Sequence, residues 1–213
     1  MPNWCFNKLM IKGGNVEQIL SRNDSGDLVL NFEKILPTPE ELQIADSSEN
    51  LKALAVFFSE KFTDLPSEEH ILFAKKHATA VWQMKAYCDL RGAWKEIERH
   101  KKATKPDEID EMYNLGKRLV DNLKKYHAMT WYNWRCENWG TKWDCDNTKI
   151  LDDHTVSFIT AWCPPDGILL ELSRQNPELT LTDEWWEEGG LEGIYVCRNG
   201  KVISDKSGYR QAE

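Results

Sequence analysis

From Trp4 to Lys12 the side chains alternate. Cys5, Asn7, Leu9 and Ile11 point one way, and Trp4, Phe6, Lys8 and Met10 point the other. A period of two means a strand with at least one buried face. Gly13-Gly14 ends it. Asn15 then stands as the N-cap of a short helix, NVEQILSR, striped by Val16, Ile19 and Leu20. NDSGD reads as a turn and LVLNFEKIL as a second strand, closed by PTPEEL.

The period then changes. Leu51, Leu54, Ala55, Phe58 and Phe62 lie on one helical face. Pro66-Ser67 opens a second helix, whose later stripe is Tyr87, Leu90, Trp94 and Ile97, with Gly92 inside it. After the break KKATKPDE, with Pro106 suited to a first turn, a third helix carries Ile109, Met112, Gly116, Leu119, Leu123 and Tyr126. Gly116 on that stripe allows close approach of the preceding helix. These elements predict a helical insertion over 47–127.

Strand periodicity returns in TVSFITAW, with Val156, Phe158, Thr160 and Trp162 on one face. CPPDG turns the chain, Asp166 is placed to cap the helix GILLELSRQN, and Pro177 stops it. LTLTDEWWE puts Leu179, Leu181 and Trp185 on one face. Asn199-Gly200 between two apolar runs signals a type I′ hairpin. Without the insertion the order is strand-helix-strand twice, then a hairpin. The expected class is therefore α+β: a ferredoxin-like split β-α-β sandwich with a large helical insertion and a C-terminal β-hairpin. The expected domains are 1–46 with 128–205, an insertion at 47–127, and a flexible tail at 206–213.

Composition narrows the function classes. A net charge of -8 and a pI near 5.3 weigh against duplex nucleic acid, where phosphate neutralisation supplies most of the affinity. No apolar run approaches the roughly 20 residues of a membrane span. The start shows no charged leader followed by an apolar stretch, so a cytoplasmic protein with no membrane association is expected. The cysteines at 5, 88, 136, 145, 163 and 197 have no CxxC spacing and no zinc-finger histidines; free thiols are expected, with no metal and no cofactor.

Three segments, PNWCFNKLMIKG, NWRCENWGTKWD and FITAWCPPDGILLELSRQNPELTL, occur in an order that resembles the YubB-like family of phage and conjugative-plasmid proteins. The resemblance covers Met1 to Pro39 and Ala128 to Gly193. It implies a ferredoxin-like domain, a mobile-element origin and action inside a bacterial host. It implies no catalytic residue.

The run NWRCENWGTKWD, from Asn133 to Asp144, is the densest candidate site. As an extended segment it would place Trp139, Thr141 and Trp143 on a packing face and Asn138, Lys142 and Asp144 on a polar face. The candidate contact residues are Asn133, Trp134, Glu137, Asn138, Lys142 and Asp144. The first expectation is a non-catalytic accessory protein that binds a host protein, as a counter-defence inhibitor would. The alternative is a small-ligand or nucleotide binder using 133–144. A hydrolase would need two carboxylates across a cleft, from Glu137 and Asp144 or from Glu184 and Glu187. A cysteine nucleophile would need His127 or His154 beside Cys136 or Cys145. His70 and His77, seven apart on one helix, are too far apart to share a metal. Exposed aromatics on such a sheet can stack bases, but the basic, glycine-rich strand signature of that class is absent. Partner identity and oligomeric state are not encoded in any motif.

Overall fold

A computed structural model describes residues 3–60, 90–100 and 105–209. The predicted helix start at Pro66-Ser67, with His70 and His77, lies outside the described residues, as does Cys88. The chain divides into two compact units, Met1–Pro37 with Arg135–Glu213, and Thr38–Trp134.

The first unit is built on a six-stranded antiparallel sheet. Its strands are β1 (Trp4–Lys12), β4 (Asp146–Asp152), β5 (Thr155–Ala161), β6 (Thr180–Glu187), β7 (Leu191–Arg198) and β8 (Lys201–Tyr209), in the order β4-β5-β1-β6-β7-β8. Two further strands, β2 (Ser21–Arg22) and β3 (Leu28–Val29), form a separate ribbon. β1 runs between β5 and β6 and is antiparallel to both. Helix α6 (Asp166–Gln175) connects β5 to β6, so β5-α6-β6 is a split β-α-β unit with β1 in the gap. β1 and β4 flank β5 in the same way. This is the ferredoxin-like arrangement, widened by the hairpin β7–β8.

The alternation in β1 is observed. Cys5, Asn7, Leu9 and Ile11 are buried, and Lys8 and Lys12 are exposed. Asn7 is satisfied inside: its amide donates to Thr160 Oγ1 (3.0 Å) and to the Cys5 carbonyl (3.1 Å). Above this face pack Ile168, Leu169 and Leu172 of α6, together with Phe32 and Trp139, all buried. Phe32 meets Trp139 and Phe158 edge-on, at centroid distances of 5.7 and 6.4 Å. The Asn199-Gly200 turn has both residues at positive φ (49° and 67°), as a type I′ turn demands. The Gly200 amide donates to Ser173 Oγ of α6 (3.0 Å), which fastens the hairpin to the helix layer.

Three expectations fail locally. LVLNFEKIL is not one strand: after β3 it turns into the one-turn helix α1 (Phe32–Ile35), because Asn31 Oδ1 accepts from the Lys34 amide (2.8 Å) and Phe32 is drawn into the core. The edge strand of that half is β4, which is mostly exposed and has register shifts, so it carries no alternation to read. NVEQILSR forms only a 3-10 turn over Val16–Gln18. Finally, β8 continues through 206–209, which the sequence assigns to a loose tail.

The second unit contains α2 (Ser48–Phe58), α3 (Leu90–His100), α4 (Pro106–Tyr126) and the start of α5 (Trp131–Asn138). Its core joins Ala53, Leu54 and Val56 of α2, Trp94 of α3 and Leu119 and Leu123 of α4. Gly116 faces α2 as its place on the stripe requires: a Cβ there would stand 2.3 Å from the Ala53 carbonyl oxygen. Pro106 opens α4, and His127 closes it in the left-handed region with φ 58°. No described helix is long and apolar enough to cross a membrane.

Candidate functional site

The run NWRCENWGTKWD is not extended. Residues 133–138 belong to α5, and a turn follows with Gly140 at φ 87°. The parity argument for two faces therefore does not apply. Trp139 is fully buried and donates its indole N–H to the Leu36 carbonyl (2.9 Å), whereas Trp143 is 40% exposed. Thr141 is buried and its hydroxyl donates to the Ala161 carbonyl (2.8 Å).

The six candidates separate. Asn133 and Trp134 are buried and fall in the second unit; Glu137, Asn138, Lys142 and Asp144 fall in the first. Glu137 is exposed on α5 and Asn138 is half-buried. Asp144 Oδ1 accepts from the amides of Phe32 (3.0 Å) and Cys145 (2.8 Å), so it holds the start of α1. Burial raises its pKa, against the pull of those amides. Lys142 is placed otherwise: its ammonium lies 3.8 Å from the ring centroid of Trp143 and 3.9 Å from that of Trp162. Trp162 does not continue the β5 face. It adopts φ 72°, rare for a bulky residue and costing on the order of 1–3 kcal/mol, and the residue is 41% exposed.

Other sequence candidates also settle. The five described cysteines are free. Burial pushes the thiols of Cys5 and Cys145 up to about 12, far from the thiolate range of a nucleophile. His154 contacts the Gly14 carbonyl through Nδ1 (2.8 Å), and His127 closes α4. Glu187 accepts from the amides of Gly189 and Leu191, and Glu184 pairs with Lys8 (3.6 Å). Among the described residues no three ligating side chains come together as a metal site.

Two further carboxyls stand out, Asp183 on β6 and Asp166 at the start of α6. Asp183 is fully buried, with neither oxygen hydrogen-bonded among the described residues. Desolvation, with Asp166 and Glu184 adding repulsion, outweighs the pull of the Lys8 backbone amide, which faces it outside full hydrogen-bond geometry, and pushes its pKa up to about 8. Asp166 does not cap α6. Its Oδ1 is buried and unpaired among the described residues, and burial together with the charge of Asp205 raises its pKa to about 6.

The other face of the sheet, that of Phe6, Lys8 and Glu184, is the larger feature. Phe6 and Trp186, cross-strand neighbours, stack at 4.0 Å and 13°. One step along, Lys8 lies opposite Glu184, and Glu184 lies opposite Ile194 on β7. Leu151 and Tyr209 complete a concavity of about 660 Å³, with Glu192 and Lys206 also on its wall. Trp186, Ile194 and Tyr209 remain 41%, 43% and 79% exposed. The sequence signal was the second half of each alternation: Phe6 with Lys8 on β1 and Trp186 with Glu184 on β6. Alternation alone does not tell an aromatic that faces solvent from one that packs under another layer.

No curated protein matches the chain. A crystal structure of a protein api92 from Yersinia pseudotuberculosis is similar at 12% identity, over 100% of this chain and 99% of that one, with a TM-score of 0.38. Residues 138–213 match the family model described as the ferredoxin-like domain in Api92-like protein, and that stretch carries β4 to β8, five of the six strands of the sheet. This C-terminal part of the chain is thus similar to the ferredoxin-like domain of Api92-like proteins.

Proposed function

We propose that the chain is a non-catalytic accessory protein of a phage or plasmid that binds a host protein through the open face of its sheet. The observation that carries this reading is the arrangement of that face. A stacked Phe6–Trp186 pair with Ile194 and Tyr209 forms an exposed apolar centre, and Lys8, Glu184, Glu192 and Lys206 border it. An aromatic centre inside a charged rim is the anatomy of protein interfaces, where Trp and Tyr carry most of the binding energy. The rim holds both signs of charge and the chain is acidic overall, which favours a protein over a polyanion. The resemblance to mobile-element proteins supports a host protein as the partner and counter-defence as the consequence.

The experiment compares wild type with Trp186→Asp and Ile194→Asp as baits in bacterial lysates. A protein recovered reproducibly by wild type and lost with both variants supports the reading. Recovery that is identical for all three baits, or no specific recovery at all, overturns it.

A further inference from the structure

We propose that Lys142, Trp143 and Trp162 form a second binding site, selective for an oxyanion carried on a flat apolar body, such as an aromatic phosphate or carboxylate. None of the three residues lines the sheet concavity, so this site is separate from the proposed partner face.

The first argument is the state of the ammonium. Lys142 Nζ is within 4 Å of two indole centroids (3.8 and 3.9 Å), and among the described residues it has neither a hydrogen bond nor a carboxylate partner. An ammonium carries three donors. Ring faces answer its charge but accept no conventional hydrogen bond. A surface lysine normally ranges over many rotamers, and binding an anion then costs the entropy of fixing it. Here the two rings already hold the ammonium in place, so less of that entropy remains to be lost.

The second argument is the rigidity of the frame. Trp143 and Trp162 lie on two turns that meet backbone to backbone. A Cβ on Gly140 would stand 2.7 Å from the Pro164 carbonyl oxygen, and one on Gly167 would stand 1.9 Å from the Asn138 carbonyl oxygen. The Thr141 hydroxyl ties the first turn to Ala161. The Trp162 amide donates to the Asn3 carbonyl (2.9 Å), fixing that residue in its left-handed conformation. Strained backbone that displays a half-exposed indole marks a position held for its side chain.

Ligand class follows from charge and shape. The free donors call for a phosphate or carboxylate oxygen, and the two exposed ring surfaces offer stacking to a planar body. A net charge of -8 opposes a long polyanion, so a single anionic group is favoured.

The test titrates the whole protein with phenyl phosphate, benzoate, inorganic phosphate and benzylammonium, following tryptophan fluorescence. Phenyl phosphate or benzoate should bind saturably below about 10 mM, a weak affinity in keeping with one charge and one stacked ring. The tighter of the two identifies the oxyanion, and inorganic phosphate alone should bind more weakly than phenyl phosphate. Lys142→Met, which keeps the apolar stem, should weaken binding about tenfold or more, the worth of one charge-assisted hydrogen bond. Lys142→Arg should restore most of it, which separates lost charge from lost folding. Trp186→Asp should bind as wild type, so failure of the partner-face reading leaves this result unchanged. The proposal is overturned if Lys142→Met binds like wild type, if benzylammonium binds as tightly as the anions, or if no probe gives a saturable response.

Discussion

The Asp183 carboxyl, lodged without a hydrogen bond between sheet and helix, makes stability depend on pH. Its pKa rises from 3.8 when free to about 8 when buried. Across that window the folded chain keeps a proton that the unfolded chain has released, so stability falls as pH climbs from about 4 to about 8 and is lowest above it. Around it stand Asp166 on α6, Glu184 on β6, Cys5 on β1 and Cys197 on β7, none of them cationic. Asp183→Asn should therefore raise stability at pH 7.5 by on the order of 2–4 kcal/mol and flatten the slope, as read from urea melts across pH. Asp144 is the opposite case. It is half-buried but used, and Asp144→Ala should cost about 1–2 kcal/mol in the same melts by releasing the Phe32 amide. Neither role was legible in the sequence. Asp183 sits in a clean strand alternation that says inside, while its charge says outside, and only packing decides. Asp144 acts on a helix far away along the chain, a contact that no local pattern encodes.

Elements were readable where a face is buried and periodic. β1, β6 and α4 could be drawn from the sequence because each has a core side and a wetter side, β5 by its run of buried and half-buried strand formers, and the β7–β8 hairpin by its Asn199-Gly200 turn. β4 could not, since both of its faces are wet, and 28–36 misled because β-branched and apolar residues there feed a helical turn. The Asn133–Asp144 run misled differently: an alternation of tryptophan with polar residues fits a strand, but the segment is a helix end and a glycine turn. Gly116 offers a sharp check on the helix pair α2–α4. With backbone 2.3 Å from the position of an added Cβ, Gly116→Val should separate the helices and cost about 2–4 kcal/mol, seen as lost cooperativity in thermal melts. On Gly26, where nothing lies within 4 Å of an added Cβ, the φ of 89° alone sets the penalty, and Gly26→Ala should cost about 1 kcal/mol.

At the scale of the whole molecule the division into two units is itself testable. Within the first unit the segments on either side of the excursion are tied together: the Trp139 indole donates to the Leu36 carbonyl, and Arg135 pairs with Glu33. Replacing 38–134 with a Gly/Ser linker of about 4–8 residues should leave a β-rich unit that melts in one transition, since short flexible linkers span such gaps at little cost. Loss of the cooperative transition would show that the sheet unit depends on the helical segment.

The place of β1 has a kinetic consequence. It is the centre of the sheet, yet both of its neighbours come from the far end of the chain. β4 to β8, by contrast, are linked by hairpins and one helix within a continuous stretch. Loop-closure entropy favours the local pairings first. The C-terminal strands would then form an open cleft between β5 and β6, and the N-terminal strand would close it last. β1 thus precedes in the chain both of the strands it pairs with, and is made before them but used after them. Until β5 and β6 have been made, Phe6 and its neighbours wait as an unpaired strand, and in vitro Leu9→Ala should accelerate unfolding far more than it slows refolding.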